Sequence, residues 1–327
     1  MKVERGPIFV AGLERSGTSL MFALLASHPQ IAMTRRTNLW THFYDRYGDL
    51  EDPANFERCL DIMMRYKRLI ILQPDQDRLR RDFLAGSRTY ARLFALVEEQ
   101  YAERLGKPRW GDKSPNTERY GDLIFTAYPG ARMLHMIRDP RDRYASSLTR
   151  WKVRRGGVGA GTAEWLLSAR LGRRNQRLYP DQYRIVQYET LATNPEGTLR
   201  EVCDFLDEDY VPEMLSMEGV PRFREQGSNS SYGRRDPGVI STESIGRFRE
   251  VLSPREIAFV QMLAKNEMAS FGYETERLSL LVPQRIRFAM GDLPLQFARV
   301  LVWQSREMIR NRTGRAVPDR LIRGPVT

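Results

Sequence analysis

The chain reads as an α/β protein in which a parallel sheet is flanked by helices. Apolar, strand-like runs at Pro7 to Ala11, Ala131 to Ile137 and Tyr183 to Tyr188 are each followed by a turn and a helix-like stretch. Alternation of that kind needs crossover connections, which put helices on both faces of a parallel sheet. With 327 residues, 41% of them hydrophobic, the chain can bury one substantial core. One domain with helical additions fits that size better than two equal ones.

The first strand runs into the octapeptide GLERSGTS, Gly12 to Ser19, which opens the amphipathic stretch Leu20 to Leu25. Glycines five apart between strand and helix are the punctuation of a phosphate-binding loop, where unpaired N–H groups and a positive helix end meet an anion. Thr18 stands where a nucleotide triphosphatase carries lysine, and Arg15 is the cation inside the loop. A terminal group with less charge than a γ-phosphate is the expected guest.

Residues 40 to 108 read as mostly helical and rich in charge. At their start, LWTHFYDRYGDL spaces His42 and Asp45 one helical turn apart, so that in a helix one can orient or activate the other. His28, ahead of Pro29, falls at a helix end where it caps carbonyls, and His135 lies inside an apolar strand as a core residue.

The run Met133 to Ile137 ends in Arg138, Asp139-Pro140 follow at helix-start positions, and Ser146 stands eight residues after Arg138. An arginine fork and a hydroxyl suit a lone phosphate monoester. Further along, the glycine-rich Arg154 to Gly161 reads as a lid or a loop. Asn194-Pro195-Glu196 caps a helix through Leu206, and Ser253-Pro254-Arg255-Glu256 reads as a capping box.

The string GLERSGTSLMFALLASHP is similar to the 5′-phosphosulfate loop of sulfotransferases that use 3′-phosphoadenosine 5′-phosphosulfate, and MLHMIRDPRDRYASSL resembles their 3′-phosphate segment. The similarity extends over roughly residues 6 to 275. It implies a P-loop-like domain over residues 1–276, with helical acceptor-side insertions, and a helical C-terminal extension over residues 277–327. Carried onto this chain, it implies that Arg15, Ser16, Gly17, Thr18 and Ser19 hold the 5′ end of the donor and that Arg138 and Ser146 grip the 3′-phosphate. Tyr188, in YRIVQYETL, would lie near the adenine, and Arg247, in STESIGRF, in a loop that closes over the nucleotide.

The implied reaction moves a sulfonyl group to a hydroxyl or amine of a small-molecule, carbohydrate or lipid-linked acceptor and releases adenosine 3′,5′-bisphosphate. Arg15, the amides of residues 16 to 19 and Lys113, in WGDKSPN, would meet the developing charge, with no divalent metal called for. The tyrosylprotein branch carries a glutamate shortly after its His-Pro pair, whereas MTRRTNLW has Arg35 and Arg36 there. The proton acceptor is therefore expected at His42 or Asp45, His42 first and Asp112 next.

Two other classes compete. A P-loop kinase or NTPase fits the strand–loop–helix but lacks the loop lysine. A nucleic-acid-binding protein fits the net charge of +11, yet the arginines are dispersed and no reading motif is present, so nucleic acid is not the expected partner. Cys59 and Cys203 are isolated and only three histidines occur, which supports neither a disulfide framework nor a metal cluster. An N-terminus running straight into a strand points to a cytoplasmic location. In LPLQFARVLVWQSREMIRNRTGR, apolar residues alternate with arginines at helical spacing. Such a helix packs on its own domain or on the second subunit of a homo-oligomer, with peripheral contact to an anionic membrane the other reading.

Overall fold

The computed structural model describes residues 5–150, 156–225, 236–313 and 317–323. In strand β1 (Ile8–Gly12), Ile8 and Val10 enter one apolar cluster while Phe9 and Ala11 enter another. Period-two alternation between two buried clusters is what a strand covered on both faces requires.

After β1 come α1 (Thr18–Ala26), β2 (Ile31–Arg35) and a helical insertion of α2 (Leu39–His42), α3 (Pro53–Arg65), α4 (Lys67–Ile70), α5 (Gln76–Leu84) and α6 (Tyr90–Arg104). The sheet is completed by β3 (Arg109–Lys113), α7 (Gly121–Ala127), β4 (Arg132–Ile137), α8 (Pro140–Arg150), α9 (Gly157–Leu178) and β5 (Tyr183–Gln187). The described remainder is helical: α10 (Tyr188–Thr193), α11 (Pro195–Leu206), α12 (Glu213–Ser216), α13 (Pro221–Glu225), α14 (Phe248–Val251), α15 (Pro254–Ala269), α16 (Val282–Arg287) and α17 (Leu293–Thr313).

All strand pairs are parallel, in the order β2-β3-β1-β4-β5. Val10 lies opposite Lys113 and Gly12 opposite Met136, so β1, β3 and β4 end together on one edge. Open α/β sheets place their ligands outside that carboxyl edge, and the loops after these three strands are therefore neighbours.

Three expected strands correspond to β1, β4 and β5, whereas β2 and β3 carry no strong strand signal. The expected caps are present. Asn194 Oδ1 accepts from the Gly197 N–H at 3.2 Å, and Glu256 accepts from the Ser253 N–H at 3.0 Å in a full capping box. The glycine-rich segment is not a lid over the residues described: Gly157 to Gly161 form the first turn of α9, and Arg154 and Arg155 lie outside the described residues. Its glycines serve packing, because a Cβ at Gly159 would stand 2.4 Å from the Gln296 carbonyl oxygen of α17. Among the described residues no helix is long and apolar enough to cross a membrane.

Candidate active site

The loop between β1 and α1 turns sharply at Arg15 and Gly17, both with positive φ (73° and 91°). Gly17 is required twice over: its φ is costly for an L side chain, and an added Cβ would meet the Tyr188 ring at 2.6 Å. The Ser16 N–H closes a turn onto the Leu13 carbonyl, so it is not available to a ligand as the sequence had suggested. Leu20 and Met21 donate back to the Gly17 carbonyl. The amides of Gly17, Thr18 and Ser19 have no acceptor among the described residues, and they stand at the positive end of α1.

Beneath the loop, a buried relay fixes its entry. The Tyr183 hydroxyl donates to His135 Nδ1 (2.6 Å), His135 Nε2 donates to Ser168 Oγ (3.1 Å), and Ser168 donates to Glu118 Oε1 (2.6 Å). Glu118 Oε2 then accepts from the Gly12 N–H at 3.0 Å. Burial lowers the His135 pKa, which keeps this imidazole neutral in a core role, as its place in an apolar strand suggested. His28 is structural too: Nε2 donates to the Asp209 carbonyl at 2.9 Å and Nδ1 accepts from the Gln30 N–H at 3.1 Å.

The second turn meets the first. Arg138, at the end of β4, is buried, and its two terminal nitrogens donate to the carbonyls of Arg15 (3.3 Å) and Ser244 (2.6 Å). Its guanidinium lies 4.5 Å from the centre of the Tyr188 ring, a cation–π contact, while its Nε is buried without a partner among the described residues. Ser146, fully buried on α8, accepts from Arg15 Nε at 3.0 Å. Tyr188 is buried rather than wet at its tip, and its hydroxyl is 2.6 Å from Ser244 Oγ.

The segment containing Ser244 is held down by Asp142, whose carboxylate accepts from the N–H groups of Gly246 (2.6 Å) and Phe248 (2.8 Å). Arg15, Arg138, Ser146 and Tyr188 thus share one site, and Ser244, in the STESIGRF segment from which only Arg247 was expected, joins them. Arg247, the residue before α14, belongs to this pinned loop and lies 3.7 Å from Glu250.

Lys113 ends β3 and is 1% exposed, so it is not an exposed turn residue. Its ammonium rests 5.8 Å from the Phe22 ring centre. Burial, with the nearby guanidinium groups of Arg35 and Arg36, pushes its pKa down to about 7. Arg36 forms an ion pair with Glu14 of the loop, and its N–H donates to the Lys113 carbonyl at 2.6 Å. Asp112 faces the interior: it accepts from Thr34 (3.0 Å) and Thr37 (2.8 Å), and burial raises its pKa. Its carboxylate is thus engaged by the two threonine hydroxyls inside the domain.

A cavity of about 280 Å³ opens beside the loop, lined by Glu14, Asn38, Thr41, His42, Asn116, Arg143, Glu164 and Arg310. Glu14 and Glu164 supply its carboxylates. Glu14 was legible as a carboxylate inside GLERSGTS, but the reading looked for the base farther downstream. His42 is buried and also borders a second cavity of about 670 Å³ with Tyr47 and Ile62. The expected helical pairing of His42 with Asp45 fails, because α2 ends at His42 and Asp45 is an exposed turn residue with φ 55°. Among the described residues no group of three or more His, Cys, Asp or Glu side chains could hold a metal ion.

Fold and site together define a P-loop-like α/β protein in which the strand-to-helix connections after β1 and β4 are in contact. The sequence profile of the sulfotransferase family matches residues 7–212, and the chain belongs to that family. It is 25% identical over 240 residues to a protein-tyrosine sulfotransferase of Drosophila melanogaster, covering 68% of this chain and 43% of that one. Protein-tyrosine sulfotransferase A of Caenorhabditis elegans is 24% identical over 238 residues, 67% of this chain and 57% of the relative. The chain thus spans about half the length of these relatives. Among solved structures, the sulfotransferase domain of the Synechococcus PCC 7002 olefin synthase superposes with a TM-score of 0.55 at 20% identity, covering 84% of this chain and 98% of that domain. The sulfotransferase domain from the curacin biosynthetic pathway gives 0.53 at 17% identity over 84% and 99%. Both share the fold.

Proposed function

We propose that this protein transfers a sulfonyl group from 3′-phosphoadenosine 5′-phosphosulfate to a hydroxyl or amine of a small-molecule, carbohydrate or lipid-linked acceptor. The observation that carries the reading is the contact between the two turns, Arg15 to Ser146 at 3.0 Å. One ligand with an anion at each end would span them, and a phosphate monoester would meet Arg138 and Ser146 on the second turn. The unpartnered Arg138 Nε and the three open amides of residues 17 to 19 supply donors that fit such a ligand.

The donor supplies an activated sulfonyl group whose bridging oxygen gains charge as the bond breaks. The chain's part is to meet that charge and to take one proton. The amides at the start of α1 and the Lys113 ammonium stand at the same sheet edge for the first task, since preorganised donors act most strongly where water is excluded. For the second we assign Glu14, which projects into the 280 Å³ cavity from the loop itself, with His42 lining the same cavity. Its ion pair with Arg36 holds the carboxylate at this position. Arg36 stands where the tyrosylprotein branch carries its glutamate, and we infer an acceptor other than a tyrosylprotein.

Cys59 and Cys203 are free and buried, which suits a cytoplasmic setting. Calorimetric titration with adenosine 3′,5′-bisphosphate and with ADP tests the reading. Selective binding of the first supports it, and equal affinity overturns it.

A further inference from the structure

Helix α17 is apolar on its outer side as well as its inner one: Leu293 and Trp303 pack against the core beside Val300, and the half-exposed Phe297 sets its ring 5.7 Å from that of Phe259. Its domain side buries Gln296, Val300 and Glu307, with Gln296 accepting from the Gly159 N–H at 3.0 Å and Glu307 paired to Arg119. Its outer side exposes Leu295 (48%), Phe297 (43%), Leu301 (62%), Val302 (49%), Met308 (57%) and Ile309 (59%). At 100° per residue these span about 160° of the helix, an arc otherwise filled by Pro294, Ala298 and Ser305. From Pro294 to Ile309 no charge falls within it; Arg312, in the last turn, comes round to the same arc.

The stripe continues upstream, where Val282, Ile286 and Met290 are 59% to 79% exposed. Of the seventeen large hydrophobic residues exposed among the described residues, ten lie between Leu281 and Ile309, so the patch is one surface and not scatter. Its border is cationic: residues 281–313 hold six arginines against two acids. Both acids are already paired, Asp292 with Arg255 and Glu307 with Arg119 and Arg310. Arg285, Arg287 and Arg306 are exposed beside the stripe.

We propose that the arm formed by residues 282–313 docks in the interface of an anionic bilayer, its apolar arc among the lipid and its arginines at the headgroups. Charge decides between the two candidate occupants. A second copy would set one arginine border against another in a chain of net charge +11, whereas anionic headgroups supply the opposite sign. Arg310, on the inner edge of α17, lines the cavity that holds Glu14 and His42. Docking would therefore set that cavity behind α17, about one helix diameter from the apolar face and at the depth of the headgroups. Resting on the sulfotransferase reading, this narrows the acceptor to a hydroxyl carried on a lipid headgroup.

The test is co-sedimentation of the full chain with vesicles of phosphatidylcholine alone or with a quarter phosphatidylglycerol, with no turnover required. At least tenfold more protein should partition to the anionic vesicles, and the exposed-site variant Leu301→Glu/Met308→Glu should lose about tenfold while keeping its melting temperature and nucleotide affinity. Equal partitioning of variant and wild type would show general charge attraction and overturn docking by this face. So would a dimer in light scattering that the same variant dissociates. Sulfonyl incorporation into a vesicle-borne glycolipid should exceed that into its soluble headgroup, and equal rates would overturn the lipid-borne acceptor alone. Failure of nucleotide binding, read without vesicles, would strike the sulfotransferase reading and leave the docking result standing.

Discussion

Arg15 donates through Nε to the hydroxyl of Ser146 at 3.0 Å, joining two turns that are 131 residues apart in the chain. Each turn is thus built partly from the other. An anion bound at one must be sensed at its neighbour, through a contact it shares or displaces.

Adenosine 3′,5′-bisphosphate should bind at least tenfold more tightly than ADP with no magnesium added. Arg138→Ala should remove that preference, at a cost of about 2 to 5 kcal/mol in the binding of the bisphosphate and much less in that of ADP. Isothermal titration reads both. An equal loss for the two nucleotides would mean that Arg138 holds the fold and not the 3′-phosphate.

Lys113 should impose a pH dependence of known sign. Below about pH 7 folded and unfolded chains both carry the proton, and burying the ammonium costs its full amount. Between about 7 and the usual 10.5 the unfolded chain keeps the proton that the folded chain has released, so stability rises with pH. Lys113→Met should therefore exceed the wild type in urea denaturation at pH 6, by a margin that shrinks toward pH 10, while turnover falls about a hundredfold. A margin independent of pH would refute the buried, shifted lysine.

Removing the proton acceptor should slow turnover about a hundredfold to ten-thousandfold and leave donor affinity intact. Glu14→Gln should show that loss at saturating donor. Asp45→Asn should be neutral, because Asp45 is an exposed turn residue. If His42→Ala shows the large loss and Glu14→Gln does not, the proton goes to the imidazole.

Gly17→Ala should be disruptive out of proportion to one methyl group. The new Cβ would face Tyr188 at 2.6 Å, at a backbone φ of 91°. A destabilisation of about 1 to 3 kcal/mol is expected, together with weakened nucleotide binding as Tyr188 shifts under Arg138. Thermal melts beside titrations check it; a mutant as stable as the wild type would show that the ring yields.

How far the sequence told this story depends on where each residue points. β1 is a continuous apolar run because both faces are covered, and β4 is nearly one from Met133 to Ile137; β5 was recognisable from Tyr183, Ile185 and Val186 although it is only partly buried. β3 was hidden, since RWGDK buries a carboxylate against Thr34 and Thr37 and a lysine against Phe22, and its polarity resembles a loop. Arg138, Ser146 and Tyr188 were legible because chain spacing alone fixes strand ends and first helical turns. Ser244 was not, because Asp142 brings its loop in from more than a hundred residues away, and Glu14, visible as a carboxylate in the loop, owes its position to an ion pair with Arg36 that spacing does not show. His42 and Asp45 misled for a local reason. α2 stops at His42, so the i, i+3 partner Asp45 lies outside the helix.

The proposed donor site borrows its parts from positions 15, 138, 146, 188 and 244, which meet only when the sheet and α8 are assembled. Such a site has no counterpart in the unfolded chain, so whatever fills it acts as a thermodynamic clamp on the whole domain. A ligand at a hundred times its dissociation constant should add about 2.7 kcal/mol. Heat resistance then becomes a reporter of chemical identity: a panel of nucleotides and sulfated compounds, ranked by the melting temperature each confers, would expose the donor before any acceptor is in hand.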